Sequence, residues 1–170
     1  MQAHCSLRAE RFRRRQIKSI ALNVATSDDD GMEYLIGAIL SLAALSFALV
    51  AGLDRDRVFY PTLLVVIATY YILFAVMGTS VHAIWIESLV AGSFLAIAVA
   101  GFKTNLWFVA AALAGHGVFD FFHHLFIENP GVPVWWPGFC RAFDIVAGGF
   151  LGVLLIKRPD FSRAAAVLRD

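Results

Sequence analysis

The chain has 170 residues, 59% hydrophobic and only 16% charged, with a formal net charge of +1. Water-soluble domains carry about 45–50% apolar and about 25% charged residues, because a domain of this size must cover itself with polar side chains. The composition therefore excludes an ordinary soluble fold, and the near-neutral charge with no long basic face gives no reason to expect a nucleic-acid partner.

Residues 1–31 differ in composition from everything after them. Arg8, Arg11, Arg13, Arg14, Arg15 and Lys18 form a basic run, and Asp28, Asp29 and Asp30 follow it. Two readings stand: a disordered or membrane-surface tail, drawn to anionic lipid by about 1 kcal/mol per charge, or residues upstream of a true start at Met32. The basic run leads into polar residues, not into an apolar segment with a cleavage site, so it does not read as a signal peptide. Cys5 and Cys140 lie in different regions, and neither a disulfide nor a zinc-finger spacing is expected.

Five apolar stretches follow, at residues 34–53, 58–77, 81–102, 106–127 and 138–156. The run Asp54-Arg55-Asp56-Arg57 ends the first. Pro61 sits in the first turn of the second, where its missing N–H costs nothing. Gly78-Thr79-Ser80 makes a minimal turn, and Lys103-Thr104-Asn105 closes the third stretch. Residues 128–137, which hold Pro130, Pro133 and Pro137 with Trp135 and Trp136, cannot continue a helix. Lys157-Arg158-Pro159 stops the fifth stretch, and residues 158–170 form a short tail. Each stretch is about 20 residues, or about 30 Å as a helix, which matches the hydrocarbon thickness of a bilayer. Backbone groups in lipid must bond within their own segment, so helices are the form expected. The predicted fold is all-α: a polytopic membrane protein with a bundle of five transmembrane helices over residues 32–157.

Charge at the helix ends gives an orientation. Arg55, Arg57, Lys103, Lys157, Arg158 and Arg163 lie on one side, and Glu33, the Gly78 turn and the proline-rich linker on the other. The positive-inside rule then places the C-terminus in the cytoplasm and the N-terminus outside, in the inner (plasma) membrane. Trp135 and Trp136 would form an interfacial belt at the outer surface.

Ionisable groups in a membrane are expensive, so each implies a role. The fourth stretch carries His116, Asp120, His123 and His124. At 100° per residue, His116, Asp120 and His123 fall within about 60° of one another, with His124 beside them. The third stretch carries His82 and Glu87, the fifth Arg141 and Asp144. In this orientation Glu87, Asp120 and Asp144 lie about 10 Å below the outer surface. The sharpest expectation is a metal site on His116, Asp120 and His124, spaced His-x3-Asp-x3-His. Imidazole and carboxylate suit zinc or another first-row divalent ion. Glu87 or His82 would complete the shell, and Glu87 and Asp120 are the candidate catalytic carboxylates. The competing expectation is a proton path through Glu87, Asp120 and Asp144 with their histidines. A third is structural: polar residues that bind helices together, with Arg141 pairing Asp144 at i and i+3. Gly148 and Gly152 share a stripe with Asp144, a small-residue packing pattern that points Asp144 inward. The proline-rich linker is read as a stiff interfacial turn, with a lid over a pocket as the other reading.

At residues 116–120, in the linker from Asn129 to Pro133 with Trp135-Trp136-Pro137, and at residues 53–57 with Tyr60-Pro61, the chain resembles a group of small bacterial multi-pass inner-membrane proteins whose activity is uncharacterised. The resemblance spans residues 32–156 and implies an integral membrane protein but no reaction. In its membrane histidines and aspartate the chain is also similar to hydrolases of the alkaline-ceramidase and progestin-receptor kind, which bind zinc inside a helical bundle. Those have seven spans and a late His-x3-His pair, whereas this chain has five apolar stretches and no such pair in the last. That likeness therefore bears on chemistry alone. The functional expectations are an integral membrane protein acting as a metal-dependent hydrolase, a small proton-coupled transporter or a non-catalytic scaffold. The lipid bilayer is its partner, and a homo-oligomer is one expected assembly.

Overall fold

The computed structural model describes residues 31–53, 55 and 57–162. The N-terminal tail to residue 30, the acidic pair at 54 and 56, and residues 163–170 lie outside the described residues, as do the expectations that fall on them. All regular structure in the described residues is helical: α1 Gly31–Ala51, α2 Phe59–Met77, α3 Val81–Lys103, α4 Trp107–Phe126, α5 Trp136–Lys157 and the short α6 Pro159–Ser162. The helices match the apolar stretches to within a few residues, because the same punctuation ends both. Ser80 caps α3, its hydroxyl accepting the Ala83 N–H at 3.3 Å. The Asn105 side chain accepts the Trp107 N–H at 3.0 Å, and Pro137 stands in the first turn of α5.

Four of these helices, α1, α2, α3 and α5, are long and apolar enough to cross a membrane. The fourth predicted span, α4, is not among them, since its histidines and Asp120 dilute its apolar character. Its geometry nevertheless runs from one end of the bundle to the other. At one end, Arg57 donates to the carbonyls of Phe102 (3.1 Å) and Phe161 (3.2 Å), and the Leu106 N–H bonds to the Ser162 carbonyl at 2.8 Å. At the other end, the linker after α4 folds onto the α2–α3 turn. A Cβ on Gly131 would overlap the Phe74 carbonyl and come within 2.8 Å of the Gly78 nitrogen. The end of α4 and the end of α2 therefore occupy the same end of the molecule.

The helices pack chiefly as α4 on α5 and α2 on α3, with α3 on α4 closing the middle. α1 lies against α5: the Ser41 hydroxyl donates to the Phe143 carbonyl at 2.9 Å, and Gly37 sits against the Phe139 carbonyl. The core is aliphatic and aromatic, with Leu45, Tyr60, Leu64, Leu113, Leu151 and Leu155 fully buried. The outward faces are apolar as well: Phe47, Trp85, Leu89, Phe126 and Ile156 are all exposed. That arrangement is stable only where the surroundings are apolar too.

Candidate metal centre

The site is set by how closely α4 and α5 cross. Two glycines bring the backbones together. A Cβ on Gly117 would come within 2.9 Å of the Arg141 carbonyl oxygen and 3.1 Å of the Asp144 Cβ. One on Gly148 would lie 2.7 Å from the Ala114 nitrogen and 2.8 Å from the Ala110 carbonyl oxygen. The expected small-residue stripe is therefore a true packing face at Gly148, and it turns Asp144 into the bundle. There the residue next to Gly117, His116, meets it: His116 Nδ1 and Asp144 Oδ2 are 2.7 Å apart. Asp120, one turn along α4, puts Oδ2 3.8 Å from the same nitrogen. Cys140, one turn before Asp144, donates its thiol to Asp144 Oδ2 at 3.5 Å.

These four groups form one cluster. One ligand atom from each of His116, Asp120, Cys140 and Asp144 lies within 4.8 Å of the others, and all four residues are buried. Asp120 and Asp144 are 0% exposed. Two of their oxygens, Asp120 Oδ2 and Asp144 Oδ1, are buried with no hydrogen-bond donor among the described residues. Buried carboxylate oxygens are normally satisfied, because desolvating them without a donor costs several kcal/mol. Two such oxygens beside an imidazole and a thiol make a donor set that suits a borderline-soft divalent ion, zinc above all. The surrounding shell is in place: the Tyr71 hydroxyl donates to Asp120 Oδ1 at 2.8 Å, and Phe94 packs edge-on against the His116 ring at 4.8 Å.

A second buried group lies toward the linker end. His123 Nε2 is 2.8 Å from Glu87 Oε1, and the Asn129 amide donates both to that oxygen (2.8 Å) and to the Tyr71 carbonyl (3.0 Å). Tyr71 joins the two groups, its ring lying over His123 with centroids 4.2 Å apart. Here the structure corrects several expectations. His124 is exposed and outside the cluster, since it sits one residue past the buried face that His116, Asp120 and His123 share. His82 is exposed near the start of α3, and Glu87 serves His123 instead of completing the metal shell. The cluster instead takes Cys140 and Asp144 from α5. Arg141 does not pair with Asp144 among the described residues. Its guanidinium reaches toward the linker end, donating to the Tyr34 hydroxyl at 2.5 Å and the Asp120 carbonyl at 3.2 Å, and lies 3.5 Å above the Phe121 ring centroid.

The linker is anchored at two points: Asn129 binds α2 and Glu87, and Gly131 sits against the α2–α3 turn. It roofs a cleft of about 470 Å³ bordered by Tyr34, His123, His124, Glu128 and Arg141. Trp135 is exposed, whereas Trp136 turns inward between Tyr70 (5.0 Å) and Phe74 (4.9 Å). Sequence reasoning missed Cys140, Tyr71 and Asn129 as site residues. Comparison with protein-family models, with curated proteins and with solved structures found no match for this chain.

Proposed function

We propose that this chain is a five-span integral membrane protein built around a divalent metal centre, with zinc held by His116, Asp120, Cys140 and Asp144, and that it acts as a metal-dependent membrane hydrolase. The observation that carries the reading is the pair of buried, donorless carboxylate oxygens, Asp120 Oδ2 and Asp144 Oδ1, beside His116 and Cys140. A cation supplies what both oxygens lack. Zinc bound there would supply a Lewis acid, and hydrolysis requires that one of the four ligands yield its position to a water whose pKa the ion lowers. The chain's own contribution is orientation. Tyr71 fixes Asp120 through its hydroxyl. The α4–α5 crossing at Gly117 holds His116 against Asp144. α2, α3, α4 and α5 together bury the four residues.

The test is metal analysis of the detergent-purified full chain. The expected result is about one zinc per chain, lost in His116→Ala and in the near-isosteric Asp144→Asn, and retained in His124→Ala. Metal well below one per chain, unchanged by the two ligand substitutions, would sink the centre.

A second reading, a proton-coupled transporter, draws on a separate observation: the buried Glu87–His123 pair, with His123 bordering the cleft under the linker. Proton flux into proteoliposomes that disappears in Glu87→Gln and is indifferent to Asp144→Asn would favour it. Variants at both groups that alter neither metal nor flux would leave the scaffold reading.

A further inference from the structure

The metal centre has an apolar side that the reading above does not use. α2 and α5 face each other with matched stripes: Leu63, Ile67 and Tyr70 on one, Trp136, Cys140 and Phe143 on the other. Each set follows the i, i+4, i+7 spacing of a helix–helix packing face. Yet the two helices lack the close backbone packing that joins α4 to α5 and α2 to α3. Between the stripes lies a cavity of about 320 Å³ whose lining is almost wholly apolar. One aromatic pair bridges the seam without closing it, the Tyr70 and Trp136 ring centroids lying 5.0 Å apart.

Two of the lining residues, Cys140 and Trp136, carry polar groups that bear on a ligand. Cys140 lines the cavity, and its sulfur also belongs to the cluster with His116, Asp120 and Asp144. The cavity thus adjoins the proposed metal ligands directly. Trp136 lines it too, and its indole Nε1 is buried with no acceptor among the described residues. An indole N–H donates only, and a buried one ordinarily finds an oxygen. Both flanking helices are long and apolar enough to cross a membrane.

We propose that the α2–α5 seam is a lateral binding site for the acyl chain of a membrane amphiphile, whose carbonyl or hydroxyl oxygen accepts from Trp136 Nε1 and whose adjoining polar group lies toward Cys140 and the metal centre. The chain lies between Leu63, Ile67 and Phe143, where apolar area buried at about 25 cal/mol per Å² favours it. The oxygen satisfies the indole. The substrate class of the proposed hydrolase is then a lipid-like ester or amide that enters from the bilayer. This part of the inference rests on the metal reading; the acyl site itself does not.

The test uses the full chain in proteoliposomes with a trace of monoacylglycerol carrying a photoreactive diazirine in its acyl chain, followed by peptide mapping of the label. Label is expected on the seam, at Ile67, Phe139 and Cys140, as well as on the outward residues Leu73 and Val153. Ile67→Trp fills the cavity and should lower seam label at least about fivefold while leaving Leu73 and Val153 unchanged. Trp136→Phe keeps the ring, removes the donor, and should lower seam label about two- to tenfold. Phe143→Ala widens the cavity and should raise label at Cys140, which keeps the proposal testable if Ile67→Trp does not fold. A seam without label in the wild type, or seam label indifferent to these substitutions, overturns the proposal. Zinc content of the same samples separates the two readings. Seam label without zinc upholds the acyl site and removes the metal; zinc with an unlabelled seam removes the acyl site and keeps the metal.

Discussion

Tyr71 shows how much of the site turns on single atoms. Its hydroxyl is the donor to Asp120 Oδ1, its ring lies on His123, and its carbonyl receives Asn129. Replacing it with Phe removes only the first of these. Groups that orient a metal ligand through one hydrogen bond are worth about 10–100-fold in metal affinity. Tyr71→Phe should therefore weaken zinc binding by about that factor in a chelator competition, with the ligands intact, and lower the melting temperature by an amount consistent with about 1 kcal/mol. Unchanged zinc affinity would show that Asp120 is not held through Tyr71. At this scale the sequence was half legible. An aspartate or histidine in an apolar stretch is conspicuous because burying it is costly, so His116, Asp120, His123 and Asp144 stood out. A phenol and a thiol are ordinary in apolar helices, and nothing in their spacing marked Tyr71 or Cys140. His124 was drawn into the metal set by its place in a His-x3-Asp-x3-His run. Helical phase was the better guide, since His123 shares the buried face and His124 does not.

At the scale of elements, the centre depends on the α4–α5 distance, and the glycines provide an internal control. A methyl at Gly148 meets backbone at 2.7 and 2.8 Å, whereas one at the neighbouring Gly149 meets nothing within 4 Å. Backbone cannot rotate away as a flexible side chain can, so Gly148→Ala must push the helices apart. Overpacking of this kind costs about 1–3 kcal/mol. Gly148→Ala should lower the melting temperature in detergent and reduce zinc occupancy, while Gly149→Ala should leave both unchanged or raise stability slightly. Equal behaviour of the two would mean that the crossing is not as close as described. The linker has a parallel constraint at Gly131, which lies against the Phe74 carbonyl. Gly131→Ala should loosen the strap over the cleft, seen as faster amide hydrogen exchange from residue 128 to 135. Helix existence and ends were readable from the sequence because Pro, Gly and charge runs interrupt the apolar stretches. Which helices touch was not, because helices of similar apolarity carry little information about neighbours; only the glycine stripe beside Asp144 hinted at the α4–α5 pair.

At the scale of the molecule, α4 decides the span count of the proposed arrangement. Hydropathy alone sets it apart, since His116, Asp120 and His123 dilute it. Those three are buried against α2, α3 and α5, and the outward side of α4 is apolar, with Val118, Phe121, Phe122, Leu125 and Phe126 exposed. A helix of 20 residues is also about 30 Å long, enough to cross the hydrocarbon. The packing of Gly131 on the α2–α3 turn adds a geometric constraint: Thr79 and Val134 lie at the same end of the bundle, so the proposed five-span arrangement has them emerge on the same side of the membrane. If α4 did not cross, they would emerge on opposite sides. Single cysteines at Thr79 and at Val134, which is 97% exposed, in a chain whose Cys5 and Cys140 are replaced by serine, should both react with an impermeant maleimide in intact cells. Cysteines at Leu53 and Lys157 should react only after the membrane is opened, because the basic residues beside them favour the cytoplasmic side. Reaction of Val134 without Thr79, or of Thr79 without Val134, would break the five-span arrangement. The reverse labelling of all four would keep five spans and invert them. Either way, the side on which Val134 emerges also locates the linker cleft with respect to the cell.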